Sequence, residues 1–241
     1  MKSNAIGQVP PLAELYPMKV AITSATPFEC QGIQQLLSTG FSNGNGSLSV
    51  NFYTTGVGIM ASTYNLTHLA LTQQPDLIIQ AGIAGTFDNN LLLGTTIIVS
   101  HDVPGDTGVQ ENGRFMDVFD MGLSDADAFP FSQKKLTNPW LKKYNLLKLP
   151  EVAGVTINEI TTSKLRIATL ENNYAPVIES MEGASLHFVG LQTGIAFLQI
   201  RSISNIVGER NKQYWKMEEA LHSLTANVLA LLDRLQQVGT I

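Results

Sequence analysis

At 241 residues with 44% hydrophobic residues, the chain can bury one full core and is short for two independent domains. Its 15 basic and 20 acidic residues leave a net charge of −5, and no stretch gathers Lys and Arg, so nucleic acid and anionic membranes are not expected partners. Cys30 is the only cysteine, which excludes a disulfide within the chain and a thiolate metal cluster.

The remaining composition argues against metals and membrane segments. The four histidines lack the close spacing that two ligands on one helix face require, so no metal and no cofactor are predicted. No apolar run approaches the ~20 residues needed to cross a bilayer. Residues 1–17 lack a signal-peptide core and hold three prolines, which favours a flexible leader ahead of one domain over residues 18–241. A cytoplasmic location is the expectation that follows.

The first half of the chain alternates apolar runs with helical segments. Residues 19–25, KVAITSA, predict a buried strand, and Thr26 and Pro27 are typical of the N-cap and first residue of a helix. Residues 48–54 alternate as a strand does, and a helical stretch follows to about residue 72.

Two more strands are predicted before an irregular middle. Residues 76–82, DLIIQAG, predict a strand that ends in the glycine-rich turn AGIAG, and residues 94–100, GTTIIVS, predict the next. Residues 101–150 are irregular, and so long a connection inside a compact domain is usually functional or mobile. The remaining predicted elements are a strand at 152–157, a helix at 163–172, a strand ending at Met181, a helix from Gly183, a strand at 196–204 and a helix at about 215–236.

Strands that alternate with helices predict an α/β fold, here a single domain of three layers, α/β/α, around a central mixed sheet. In such sheets ligands bind beyond the carboxyl ends of the strands. This rule selects the segments TPFE, AGIAG, SMEG and SISN. Glu29, Glu182 and Asn205 stand at or just after predicted strand ends in these segments, so we expect them to converge on one pocket.

Each of these residues also has an ordinary structural interpretation. Thr26 and Glu29 spell a capping box, Glu182 is a first-turn acid favoured by the helix dipole, and Asn205 could close a turn. The glycines of AGIAG could serve a tight strand exit. No single segment decides between structure and function, and only the set is specific.

As a set, TPFE, AGIAG, SMEG and RSISN, at these spacings, resemble the purine nucleoside phosphorylase and nucleosidase superfamily, in particular its methylthioadenosine/adenosylhomocysteine nucleosidase branch. The resemblance covers nearly all of the chain after Pro17 and implies a nucleoside phosphorylase-like fold. Within it, GDTGVQENGRF, ESMEGAS and RSISNIVGER look most like the futalosine hydrolases of the alternative menaquinone pathway. The resemblance thus implies an N-glycosyl hydrolase that acts on a small purine nucleoside and releases hypoxanthine and dehypoxanthine futalosine.

The resemblance also implies a role for each matching residue. Glu29 falls where family nucleosidases place the carboxylate that orients and deprotonates the attacking water. Glu182 matches the acid that bonds the ribose hydroxyls and faces the developing sugar cation, and Met181 matches the methionine packed against the ribose. Breaking the bond leaves positive charge on the sugar and negative charge on the base, which suits these residues together with Asn205. The predicted substrate-binding set also includes Gly82, Ile83, Thr162, Ser163, Arg114 and Arg210.

Two positions favour hydrolysis over phosphorolysis. Gln80 and Ile83 stand where the superfamily's phosphorylases carry a phosphate-binding arginine and serine. A phosphate dianion without bidentate partners would be poorly held, so water is the expected nucleophile. The nucleosidase branch usually carries a serine at the position of Ile83 as well, so the water site here is expected to be built differently.

Asn205 bears on the choice of base. Adenine-cutting relatives carry an aspartate at this position, whereas a 6-oxopurine presents two neighbouring acceptors, N7 and O6, which an amide NH₂ can serve. Asn205 therefore favours hypoxanthine or guanine over adenine. Arg114 and Arg210 are candidates for the benzoate carboxylate of futalosine, although a surface role is the simpler interpretation of both. Arg201, inside an apolar strand, is expected to pair with a buried acid.

Two alternative functions stay open at this point. One is a nucleosidase for methylthioadenosine, adenosylhomocysteine or aminodeoxyfutalosine, against which Asn205 speaks. The other is a nucleoside-binding sensor without catalysis, against which the presence of both Glu29 and Glu182 speaks. Relatives are commonly homodimers or larger, with a neighbouring subunit lining the pocket, so the resemblance implies a homo-oligomer.

Overall fold

The computed structural model describes residues 17–39 and 48–238. The predicted leader, residues 1–17, lies outside the described residues except for Pro17. The strands are β1 Met18–Ser24, β2 Leu48–Thr54, β3 Leu77–Thr86, β4 Thr96–Asp102, β5 Gly108–Glu111, β6 Arg114–Asp117, β7 Leu136–Thr137, β8 Glu151–Thr156, β9 Ile178–Ser180 and β10 Ala196–Ile206. The helices are α1 Pro27–Thr39, α2 Ile59–Gln73, α3 Leu141–Tyr144, α4 Lys164–Tyr174, α5 Gly183–Thr193 and α6 Met217–Val238.

β3 is the central strand of the sheet. It pairs in parallel with β1 and β10, and its last residues pair antiparallel with β9. β8 joins β9 to β4 through parallel pairs, and β4 returns antiparallel to β10. Five strands, β3, β9, β8, β4 and β10, therefore close into a ring, and β1 and β2 extend the sheet from β3. The mixed central sheet predicted from the sequence is confirmed.

Helices cover both faces of the central strands. Successive residues of β1, β3 and β10 serve opposite faces, which explains why apolar residues stand at consecutive positions in these strands. One face packs against α1 and α6 through residues that include Ile22, Ile79, Leu198, Ile33 and Val228. The other packs against α2 and α5 through residues that include Ala21, Ile78, Phe197, Leu66 and Leu186. These three layers match the predicted α/β/α arrangement.

The prediction of a turn at AGIAG is wrong. β3 runs on through this segment to Thr86, because β10 stays paired with it as far as Ile206. The small residues of AGIAG keep the backbone extended while large side chains of β10 lie against it. The middle of the chain is also less irregular than predicted, since it contains the β5–β6 hairpin, β7 and α3.

The directions of the strands decide where a site can form. β9 runs antiparallel to β3, with Glu179 opposite Gly85, so the chain leaving β9 heads back toward the middle of β3. The strands therefore share no single carboxyl edge of the kind that the sequence argument assumed. Polar residues from β9 and β10 instead meet alongside the second half of β3.

Candidate active site

A cavity of about 290 Å³ opens alongside the second half of β3. Its lining comes from the start of α1, from β3, from the junction of β9 with α5, and from the end of β10 and the segment that follows. The structure brings Glu29, Glu182 and Asn205 together in this lining, although 176 positions separate the first from the last in the sequence (205 minus 29). Met181, Ile83 and Arg210 line the same cavity.

Glu29 is held by donors on both carboxylate oxygens. Oε2 accepts from the backbone N–H of Thr26 at 3.2 Å and from its hydroxyl at 3.4 Å, which is the carboxylate side of a capping box. Oε1 accepts from the backbone N–H of Ile83 at 3.2 Å. The capping interaction and the position in the cavity are thus compatible, because the cap fixes the carboxylate where it meets β3.

Glu182 is the N-cap residue of α5, and it is 5% exposed. Its Oε1 accepts from the backbone N–H of Gly58 at 3.0 Å, and its Oε2 lies 3.8 Å from Nη2 of Arg201. Burial raises the pKa of Glu182 above its usual value, and the charge of Arg201 partly offsets this rise. Arg201 is itself 1% exposed. The buried acid near it is Glu182, which is one of the candidate catalytic residues.

Asn205 lies over Gly85, its partner in β3. A Cβ atom at Gly85 would come within 3.2 Å of Nδ2 of Asn205, so a larger residue there would require the amide to shift by a few tenths of an ångström. Oδ1 accepts from the Ser204 hydroxyl at 2.8 Å, and Nδ2 donates to the carbonyl oxygen of Ile206 at 2.9 Å. One of the two amide N–H groups is therefore left for a ligand.

These contacts order the site along β3. Glu29 meets the strand at Ile83, and Asn205 meets it at Gly85, which is about 7 Å further along at the usual rise of a strand. Glu182 lies in the cavity lining beside them. A carboxylate at one position and an amide at the other, with a second carboxylate nearby, is an arrangement that can hold a reacting sugar between a water and a leaving base.

The part of the chain that forms this fold and this cavity matches a known protein family. The phosphorylase superfamily model covers residues 19–237. This chain belongs to the phosphorylase superfamily. The futalosine hydrolase of Thermus thermophilus is 25% identical over 181 residues, which are 74% of this chain and 79% of the relative. The 5′-methylthioadenosine/S-adenosylhomocysteine nucleosidase of Pseudoalteromonas translucida is 28% identical over 233 residues, which are 87% and 91% of the two chains.

A solved structure supports the same fold. The native futalosine hydrolase of Helicobacter pylori superposes with a TM-score of 0.74 at 18% identity, over 90% of this chain and 98% of that one. The fold and the superfamily predicted from the sequence are thus confirmed. The relatives are named as a hydrolase and a nucleosidase, which bears out the predicted class of enzyme.

Within this superfamily, the surroundings of Gln80 bear on the nucleophile. Its Oε1 accepts from Nη2 of Arg201 at 2.6 Å, and its Nε2 donates to the carbonyl oxygen of Glu182 at 3.4 Å. The Gln80 side chain is therefore occupied beneath the site and does not line the cavity. Among the described residues that line the cavity, Arg210 is the one arginine.

The other predicted binding residues divide into two groups. Gly82 lies directly behind the site, because a Cβ atom there would overlap the Arg201 guanidinium and lie 2.8 Å from Oε1 of Glu29. Thr162 lines a separate depression, and Ser163 is the N-cap of α4, where its hydroxyl accepts from Arg166 N at 3.2 Å. Arg114 is exposed at the turn of the β5–β6 hairpin and does not line the cavity.

Several lining residues are not predicted from the sequence. Phe28 and Trp215 contribute aromatic surface, and the Arg210 guanidinium lies 5.6 Å from the centre of the Trp215 ring. Glu179 is a third buried carboxylate of the lining, at 8% exposure. The segment ESMEG contains both glutamates, and the first one lines the cavity as well as the second.

Residues 17–39 and 48–238 contain neither a candidate metal site nor a candidate membrane-spanning helix. No group of three or more His, Cys, Asp or Glu side chains there could hold a metal ion. No helix there is long and apolar enough to cross a membrane.

Proposed function

We propose that this chain is a nucleosidase that hydrolyses the N-glycosidic bond of futalosine, releasing hypoxanthine and dehypoxanthine futalosine in menaquinone biosynthesis. The observation that carries the proposal is that Glu29 and Asn205 contact β3 at positions two residues apart, Ile83 and Gly85. Glu182 lines the cavity beside them. The resemblance to the T. thermophilus enzyme named futalosine hydrolase supports the same substrate.

The proposed reaction assigns one task to each of the three residues. Glu29, oriented by Thr26 and Ile83, accepts a proton from the attacking water as the new C1′–O bond forms. Glu182, as a carboxylate, bonds the ribose hydroxyls and stabilises the positive charge on the sugar. Asn205 donates its free N–H to the N7–O6 edge of the base, which takes the electron pair of the broken C1′–N9 bond. The base then takes up one proton from solvent to become hypoxanthine, and Glu29 returns to solvent the proton that it accepted from water.

The water site is proposed to rest on Glu29 rather than on a side chain from β3. Ile83 offers no hydroxyl, but its backbone N–H fixes Oε1 of Glu29 at 3.2 Å. Phosphate is a poor alternative to water, since Gln80 and Arg201 bind each other and Glu182 beneath the cavity. Arg210 remains the candidate for the carboxylate on the sugar side of futalosine, since it lines the cavity and Arg114 does not.

A second candidate function is cleavage of an adenine nucleoside. The nucleosidase of P. translucida, at 28% identity over nearly the whole chain, favours it. Asn205 argues against it, because the 6-amino group of adenine is a donor that meets another donor.

One assay separates these functions. The protein is incubated with futalosine, inosine and methylthioadenosine, with and without phosphate, and the released base is identified by chromatography. We expect hypoxanthine from futalosine without phosphate. Adenine as the main product would support the second function, a requirement for phosphate would overturn hydrolysis, and binding without base release would indicate a sensor.

The matched variants are Glu29→Gln and Glu171→Gln, the second at an exposed position of α4. Loss of a general base lowers kcat by ~10²- to 10⁴-fold. We expect a loss of this size for Glu29→Gln and none for Glu171→Gln, with both proteins folded by circular dichroism.

A further inference from the structure

The N-terminus of α5 is capped by a side chain from a neighbouring strand and not by its own N-cap residue. Glu182 occupies the N-cap position, yet its side chain makes no capping hydrogen bond. The backbone N–H of Ala184, the second helical residue, donates instead to the hydroxyl of Thr156 in β8 at 2.7 Å. The N-cap side chain ordinarily accepts from this N–H or from the next one, so Thr156 takes over the role of Glu182.

Asp102 of β4 fixes the direction of the Thr156 hydroxyl. Its Oδ1 accepts from this hydroxyl at 2.7 Å, and both residues are 0% exposed. A hydroxyl that donates to a carboxylate keeps its lone pairs for another donor, which here is the Ala184 N–H. A Cβ atom at Gly183 would overlap Oδ2 of Asp102, so this carboxylate lies directly beneath the first turn of α5.

This exchange of caps leaves the Glu182 carboxylate to the cavity. Its Oε1 accepts from the backbone N–H of Gly58 at 3.0 Å, and its Oε2 lies 3.8 Å from Nη2 of Arg201. A carboxylate that accepted from Ala184 would have to turn toward its own helix and away from Gly58. Thr156 and Glu182 are therefore alternative acceptors for one N–H group.

We propose that Thr156, oriented by Asp102, is a positioning residue of the site: it caps α5 in place of Glu182 and so holds the Glu182 carboxylate in the cavity. The inference rests on the proposed function, which gives that carboxylate the ribose hydroxyls and the sugar cation. Neither Thr156 nor Asp102 lines the cavity, so both act through the position of Glu182.

Thr156→Val removes the hydroxyl and keeps the branched shape of the side chain. The Ala184 N–H is then buried without its acceptor, and the nearby Ser180 hydroxyl already accepts from the preceding N–H of the helix at 3.3 Å. We expect the Glu182 carboxylate to turn to Ala184 and to release Gly58. Thr156→Ser keeps the hydroxyl and should keep the wild-type arrangement.

Amide hydrogen exchange measured by NMR reads this change without any substrate. The Gly58 N–H is bonded to the carboxylate at 3.0 Å, and the Thr55 N–H of the same segment is bonded to β1 at 2.8 Å. We expect Thr156→Val to speed exchange at Gly58 relative to Thr55 by roughly tenfold or more, and Thr156→Ser to leave this ratio unchanged. Thr96→Val is the matched control, because it deletes a buried hydroxyl of β4 outside the cavity lining.

The same variants are assayed for the release of hypoxanthine from futalosine. A displacement of about 1 Å in an active site can cost roughly 10²-fold in rate. We expect kcat to fall by about this factor in Thr156→Val and to stay near the wild-type value in Thr156→Ser and Thr96→Val.

Thr156→Val also deprives the buried Asp102 carboxylate of its donor, which destabilises the fold. Both measurements are therefore repeated in the Asp102→Asn background, where no buried charge is left at this place. The comparison is then between Asp102→Asn and the double variant Asp102→Asn/Thr156→Val, and it decides the question if the single variant does not fold.

The outcomes separate this inference from the proposed function. Unchanged exchange at Gly58 in Thr156→Val would mean that Thr156 only stabilises α5, and faster exchange with unchanged kcat would mean that the position of Glu182 does not matter to the reaction. Either result overturns the inference, as does a loss in Thr156→Ser equal to that in Thr156→Val. Faster exchange at Gly58, in a protein whose wild type hydrolyses no nucleoside, would remove the proposed function and leave the positioning of Glu182 standing.

Discussion

Asn205 is the residue on which the choice of base turns, and its surroundings show how an aspartate would behave there. Nδ2 faces the carbonyl oxygen of Ile206 at 2.9 Å, so a carboxylate oxygen in its place would meet another acceptor. That contact favours the protonated acid, whose single O–H serves either the Ile206 carbonyl oxygen or N7, while its carbonyl oxygen can accept from a 6-amino group.

Asn205→Asp is therefore expected to shift preference toward 6-amino substrates by roughly tenfold to a hundredfold. The ratio of kcat/KM for inosine to that for adenosine measures the shift. Asn227→Asp, on α6 away from the cavity, is the control. Unchanged or greater selectivity for the 6-oxo substrate in Asn205→Asp would contradict the role of this amide.

Glu182 predicts a pH dependence for the reaction. Burial raises its pKa above the ordinary value of 4.5, and Arg201 partly offsets the rise. Because the ionised form is the one that faces the sugar cation, kcat/KM should fall as the pH drops through this raised pKa. The acid limb is thus expected above pH 4.5.

Arg201 provides the way to test that assignment. Arg201→Met removes the positive charge 3.8 Å from Oε2, so the acid limb should move to higher pH. Arg201→Lys keeps the charge and should leave the limb closer to that of the wild type. An acid limb at the same pH in both variants would mean that another group sets it.

The residues of this site could be chosen from the sequence only in part. Glu29, Glu182 and Asn205 were selected by the expectation that strand ends meet, and they do share a cavity. The reason differs from the one assumed, since Asn205 lies within β10 and the chain after β9 returns to the middle of β3. Glu179 is not predicted from the sequence, because its place in the lining depends on contacts between segments that are distant in the chain.

At the scale of the elements, the pairing of β3 with β10 positions the base. The register slips between Ile203 and Asn205, so that Asn205 rather than Ser204 lies opposite Gly85. Bulges of this kind re-aim a side chain and are frequent next to active sites. The boundaries of β2 could be read from its alternating sequence, but the bulge and the extension of β3 through AGIAG depend on contacts with distant residues.

Gly82 and Gly85 of β3 predict separable effects. A methyl group at Gly82 would overlap Arg201 and press on Oε1 of Glu29, whereas one at Gly85 would lie 3.1 to 3.2 Å from Val207 and Asn205. We expect Gly82→Ala to lower kcat by at least the ~10²-fold typical of a displaced catalytic group. Gly85→Ala should act mainly on KM and on the preference between bases.

Steady-state kinetics with inosine and adenosine distinguish the two variants. Because both positions lie in the same strand, each serves as the control for the other, and thermal unfolding checks that both proteins fold. Equal losses of kcat with unchanged base preference would show that the two ends of this strand segment do not have separate tasks.

At the scale of the whole molecule, several large apolar side chains are exposed on one surface. Four large apolar side chains project from α2 and from the two residues before it. They are 54% exposed at Val57, 86% at Met60, 70% at Tyr64 and 67% at Leu71. Their spacing places them along one side of the helix, and we call this set the α2 stripe. Contiguous apolar surface of this kind commonly marks an interaction site.

The α2 stripe continues into the cavity, because Val57 also contributes to its lining. A second copy of the chain packed on the stripe would therefore cover one side of the site as well as the apolar surface. This is the form of homo-oligomer that the resemblance of the sequence implies. Self-association and activity should then depend on the same residues.

Met60→Lys combined with Tyr64→Lys tests this expectation, because buried charges without a partner oppose association. We expect a lower molar mass by light scattering and a raised KM for the nucleoside, whereas Leu165→Lys, at an exposed apolar position of α4, should leave both unchanged. A wild type that is already monomeric, or a dissociated double variant with full activity at low substrate concentration, would show that the cavity is complete within one chain.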